Sequence, residues 1–191
     1  MMMQRRTLAA ICFAAALGFS GAGIAHATTL MRMSIMRLTR TARAIVRARC
    51  VTNETRWNAG EIFTITNFDV EEIWKGSPPA HVTVRLIGGH AGNLTSTVSG
   101  VPRFAPGEEL VLFLEPTSAG DYSIVSWVQG TFRIERDNST GDETITQDTA
   151  AFPVFDPASH RFEATGIRKM RAESFRELVA ASVNKADRRN Q

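Results

Sequence analysis

The sequence predicts a mainly β domain: an antiparallel barrel or sandwich of six or seven short strands, with a short helix before it and an amphipathic helix after it. Three observations predict it. From Ala44 to Glu135, apolar and β-branched residues recur with a period of two, in short runs broken by Gly, Pro, Asn and Asp. One run, Leu110 to Leu114 (LVLFL), is apolar at every position, as a strand buried on both faces requires. The stretches Met31 to Ala42 and Ala172 to Lys185 instead carry apolar residues at helical spacing.

In chain order, the first 27 residues form a unit of their own. Arg5 and Arg6 precede an uncharged run from Leu8 to Ile24 and then Ala25-His26-Ala27, the pattern of a secretory signal peptide cut between Ala27 and Thr28. No other stretch approaches the roughly 20 apolar residues that span a bilayer. Export of the mature chain follows, and 191 less 27 leaves 164 residues, enough for one domain over 28–186 with a frayed tail at 187–191. Cys12 departs with the leader, so Cys50 stands alone and no disulfide framework is available.

The basic segment Met31 to Ala42 predicts a short helix, and AIVRARCVT then predicts a strand with Ala44, Val46, Ala48 and Cys50 on one face. A turn at Asn58-Ala59-Gly60 leads into the long strand EIFTITNFDVEEIWKG, whose alternation slips at Glu71-Glu72 as at a β-bulge. HVTVRLI is a third strand, LVLFL a central one, and YSIVSWVQGTFRIE two more divided near Gln129-Gly130. Asp137 to Glu143 is a polar turn. The final helix is predicted to place Phe175, Leu178, Val179 and Val183 on its buried face.

The formal charge of +3 includes Arg5 and Arg6; without them 20 basic groups face 19 acidic ones, no balance for binding nucleic acid. The distribution is uneven. Residues 28–49 hold six arginines and no acid, and 167–191 hold seven basic groups against three acidic ones. These ends either dock on the acidic body of the domain or make weak electrostatic contact with anionic envelope polymers.

Catalytic patterns are sparse. His81, His90 and His160 have no metal-ligand spacing, so neither a metal nor a cofactor is expected. Gly88-Gly89-His90-Ala91-Gly92 lacks the lysine and the following helix of a phosphate loop, and reads as a wide turn with His90 at its tip. Adjacent acids on a strand point to opposite faces, so neither Glu71-Glu72 nor Glu108-Glu109 is expected to converge on one bond. Trp57, Trp74 and Trp127 are expected in core or rim positions and not as a shared platform.

Read in order, IVRARCVTNETRW, FDVEEIWKG, VTVRLIGG and PRFAPGEELVLFLE resemble a family of uncharacterised exported bacterial proteins, over Leu38 to about Ile134. Trp74-Lys75-Gly76, Pro102-Arg103-Phe104 and Pro106-Gly107-Glu108 carry the match. More distantly, the chain is similar to netrin-like modules, the OB-type barrel of tissue inhibitors of metalloproteases, in its first strand and in a long second strand ending in a Lys-Gly turn. It lacks their N-terminal cysteine and disulfides, so the resemblance implies the OB-like barrel without the grip on zinc. The expectation is an exported, non-enzymatic binding or accessory module for an extracytoplasmic protease or envelope component, with His90, Arg103 and Trp127 at its binding loop. The alternatives are a small exported hydrolase whose acids meet near the His90 loop, and a structural envelope protein.

Overall fold

The computed structural model describes residues 29–188, residue 59 excepted. The predicted leader with its cut between Ala27 and Thr28, and positions 189–191 of the predicted tail, lie outside the described residues. The helix before the sheet, α1 (Ile35–Thr41), is shorter than its apolar spacing suggests. Ser34 starts it by accepting a hydrogen bond from the Arg37 amide at 3.2 Å, and Met31 is drawn into a bridge with Phe155 instead.

Period-two patterning then produces two long strands, β1 (Ala44–Asn58) and β2 (Glu61–Lys75), paired antiparallel out to Asn58 and Glu61. The register shifts between Ile45 and Val46, Arg47 and Ala48, and Cys50 and Thr52. Each shift adds one unpaired residue, so that Trp74, Glu71 and Val51 bulge. Strand β3 (His81–Ile87) continues the sheet, and the short strands β4 (Gly89–Ala91) and β5 (Leu94–Ser96) form a separate hairpin. Next come β6 (Glu109–Pro116), β7 (Tyr122–Ile124), β8 (Thr131–Arg136) and β9 (Glu143–Gln147). A second separate hairpin pairs β10 (Val154–Asp156) with β11 (Arg161–Glu163), and β12 (Met170–Arg171) leads into α2 (Ala172–Asp187).

The main sheet has eight strands in the order β1-β2-β3-β7-β6-β8-β9-β12, and β1 also pairs with β6. Two sequence expectations are corrected here. The described residues form twelve strands, not six or seven, because segments of two or three residues carry no readable period. The sheet is mixed, not wholly antiparallel: Val84 of β3 pairs with Tyr122 of β7 in parallel. Pairing runs β1-β2-β3-β7-β6 and back to β1, and an odd-membered ring cannot alternate direction all the way round.

Alternation along β1 and β6 divides the core into two. Ala44, Val46, Ala48 and Cys50 of β1 join Leu110, Leu112 and Leu114 of β6, Phe68 and Val84 in one cluster. Ile45, Val111 and Phe113 point the other way, onto Leu38 of α1 and Phe175 and Val179 of α2. Phe132 links them, with ring centroids 5.2 Å from Phe113 and 4.7 Å from Phe175. Both faces of β6 are therefore buried, as its sequence predicts. Along α2 the buried face runs through Phe175, Val179, Ser182 and Ala186. Leu178, placed on that face by spacing, is 39% exposed at its margin. Ser182 is buried in its stead because its hydroxyl donates to the Leu178 carbonyl at 2.9 Å.

Candidate functional site

Beyond Cys50 the β1–β2 hairpin continues as an arm, and the chain after β3 folds against it. Gly88 and Gly89 permit this approach. The Gly88 amide donates to the Ile62 carbonyl at 2.6 Å, and a Cβ on Gly89 would stand 2.6 Å from Thr64 Oγ1 and 2.7 Å from Thr55 Cγ2. The segment from Val98 to Phe104 closes the opposite side, with Pro102 buried and Phe104 edge-on to Phe68 at 5.1 Å. A cleft of about 210 Å³ remains, lined by Asn53, Thr55, Thr64, Thr66, Gly88, His90, Arg103 and Phe104 among others.

The walls of the cleft are hydrogen-bonded into place. Thr64 Oγ1 donates to the Gly88 carbonyl at 2.7 Å, Thr66 Oγ1 to Asn53 Oδ1 at 2.7 Å, and Asn53 Nδ2 to the Phe104 carbonyl at 2.8 Å. His90 lies on β4, not at a loop tip; Gly92, at φ 58°, makes the turn. Its exposed ring holds Nδ1 at 2.8 Å from Thr95 Oγ1, opposite it in the hairpin, which orients the imidazole. The Arg103 carbonyl accepts from Arg133 at 2.9 Å, while its own exposed guanidinium has no hydrogen-bond or ion-pair partner among the described residues. Among the described residues no carboxylate lines the cleft.

Two of the three predicted binding residues, His90 and Arg103, thus meet at one cleft, and Trp127 does not. Trp127 sits in a 3-10 turn (Trp127–Gly130) at φ 52°, and packs against the cluster inside the ring. Trp74 packs on the other cluster and Trp57 is 55% exposed near the hairpin end, so the tryptophans form no platform. His81 Nδ1 lies 2.7 Å from Asp69 Oδ1 at the surface, and His160 is in the turn between β10 and β11. No cluster of three or more His, Cys, Asp or Glu that would hold a metal occurs among the described residues.

Sequence reasoning missed the convergence of acids at Arg47. Because Glu71 bulges, Glu71 and Glu72 both reach this guanidinium, at 3.4 and 3.9 Å, contrary to the expectation that adjacent acids point apart. Glu109 of β6 and Glu143 of β9 accept from it at 2.7 and 2.8 Å. Arg49 adds contacts to Glu71 and Glu109, and Arg136 one to Glu143. Hydrogen bonds from Arg47, against the opposing effect of burial, hold the Glu143 carboxyl down at about 2. Burial alone would raise Glu109, but the bonds from Arg47 and Arg49 outweigh it and keep that group low as well. The alternation slip at Glu71-Glu72 was the available signal. Its consequence, a reversal of face, needs the register.

Glu108 and Glu109, by contrast, go to different arginines. Glu108 accepts from Arg133 at 2.8 Å, beside Asp148 at 2.7 Å. Burial raises Asp148 above its ordinary value in spite of that guanidinium. The glutamates that meet at Arg47 are thus ion-paired on the helix-bearing face of the sheet, and Glu108 and Asp148 meet at Arg133 on the other face. None of the described helices is long and apolar enough to cross a membrane.

Compared with known proteins, the chain matches no family model and no curated protein to a significant degree, so the conclusions about it rest on its own residues.

Proposed function

We propose that the chain is an exported, non-enzymatic binding module whose five-membered strand ring is an OB-like, netrin-like barrel, and that the His90–Arg103 cleft is its binding site. The ring order, with its one parallel pair and both faces of β6 covered, supports the barrel reading. The leader pattern of residues 1–27 supports export.

One observation carries the site: His90 and Arg103, thirteen positions apart, face one cleft whose other polar groups are hydroxyls and an amide. Arg103 offers a forked donor with no partner among the described residues, and His90 a ring held at Nδ1 by Thr95. Such a set recognises a carboxylate and its neighbouring amides, as a protein segment presents them. A cleft of about 210 Å³ is smaller than the roughly 300 Å³ at which small-molecule pockets begin, which favours a side chain or chain end from a protein partner, such as an extracytoplasmic protease or envelope component.

Among the described residues the cleft lining has no carboxylate to share general acid and base work with His90, which supports binding over hydrolysis. The test is affinity capture from the native exported fraction with the mature chain (28–191) and with its Arg103→Ala form. A partner retained by the first and lost by the second is the expected result. Equal recovery by both, or turnover abolished by His90→Ala in a broad substrate screen, would overturn the proposal.

A further inference from the structure

The six arginines of residues 28–49 form one run in sequence, and the fold divides them into two sets. Arg32 is bonded to Asp156 at 2.5 Å, and Arg47 and Arg49 are committed to the glutamates described above. Arg37, Arg40 and Arg43 have no ion-pair partner among the described residues, and all three are exposed. Arg37 and Arg40 lie about one turn apart on α1, and Arg43 follows in the link between the extended Ala42 and β1.

Their surroundings are concave. One hollow of about 1040 Å³ includes Arg40, Arg43, Lys75 and Tyr122 in its lining, and another of about 540 Å³ includes Arg37, Arg40 and Lys75. Arg40, Thr41 and Lys75 belong to both, so the two hollows adjoin. Among the described residues neither lining contains an aspartate or glutamate. Lys75 donates to the carbonyls of Thr39 and Ala42 at 2.6 Å each, fixing the end of α1.

We infer that this basic groove binds a linear polyanion, with Arg37, Arg40 and Arg43 each engaging a separate anionic group along the polymer. Arg37, Arg40 and Arg43 line adjoining hollows instead of a convex surface. A polymer strand can follow a recess shared by two hollows, whereas a planar bilayer meets only its rim. Guanidinium forks suit phosphate and carboxylate alike, so the shared chemistry is a repeating oxyanion. This site is separate from the His90–Arg103 cleft and stands whether or not that cleft binds protein.

The experiment uses long-chain inorganic polyphosphate, polyglutamate and vesicles rich in anionic phospholipid as probes of the mature chain at about 50 mM salt. The variant R37A/R40A/R43A is compared with R161A/K169A/R171A, which removes the same charge from exposed positions elsewhere. We expect at least one soluble polymer to bind, with affinity falling about tenfold or more in the first variant and less than about threefold in the second. Counterion release makes the salt slope scale with the anionic groups neutralised, so the slope should drop in the first variant alone. The difference between polyphosphate and polyglutamate identifies the oxyanion. Equal weakening by both variants, binding to vesicles without binding to either soluble polymer, or no binding to any probe would overturn the inference. Unchanged thermal midpoints, expected for exposed side chains, show that both variants fold.

Discussion

Gly89 holds its backbone at φ 142° with its Cα pressed against Thr64 and Thr55, so a methyl group there meets both side chains. Gly89→Ala is expected to cost about 1–3 kcal/mol, measured by urea unfolding, and to alter the cleft wall. Arg103→Ala should leave stability within about 0.5 kcal/mol, because its guanidinium is exposed and bonded to nothing in the described chain. A large loss of stability there would show that the side chain serves folding and not recognition. Of the site, the individual residues His90 and Arg103 were legible in the sequence. Their meeting was not, since it depends on two glycines letting β4 approach the arm. Trp127 was misplaced because its left-handed backbone at φ 52°, unusual for tryptophan, turns it toward the inner cluster.

At the level of elements, the bulge in β2 and the stack under α2 carry most of the consequences. Arg47 bonds glutamates from three strands, and Arg47→Met leaves them close together with only the outer arginines Arg49, Arg136 and Arg176 as partners. The expected cost is about 3 kcal/mol near neutral pH. The pH dependence has a definite sign. The Glu143 carboxyl is lowered from 4.5 to about 2 in the folded chain, so its contribution is fully present above pH 4.5 and is lost as pH falls toward 2. The stability gap between the native chain and Arg47→Met should therefore narrow on acidification from pH 7 to pH 3, as measured by thermal midpoints. A constant gap would mean that Arg47 acts through packing alone.

Phe175 ties α2 to the sheet through Phe132 and Phe113, and Phe175→Ala is expected to cost about 3–5 kcal/mol. Strands β1, β2 and β3 were readable from their alternation, β6 from its unbroken apolar run, and the bulge in β2 from the slip at Glu71-Glu72, whereas β9 was not read. The pairs β4–β5 and β10–β11 were not, because three residues carry no period and gain their order from the surfaces they lie on.

For the molecule as a whole, the parallel contact between β3 and β7 was beyond reach of local pattern, since it follows from the parity of a closed ring. The charge asymmetry was visible, but its division was not: the fold uses three of the six arginines internally and leaves three exposed, without an ion-pair partner among the described residues. The molecule that results carries the proposed binding cleft and the proposed basic groove on a sheet buried on both sides at β6. The central claim is that recognition occurs at the His90–Arg103 cleft. Hydrogen–deuterium exchange of the mature chain, with and without the partner captured on it, tests this most directly. The account predicts new protection in β4, β5 and residues 98–104; protection confined to other surfaces, with those three segments unchanged, would contradict it.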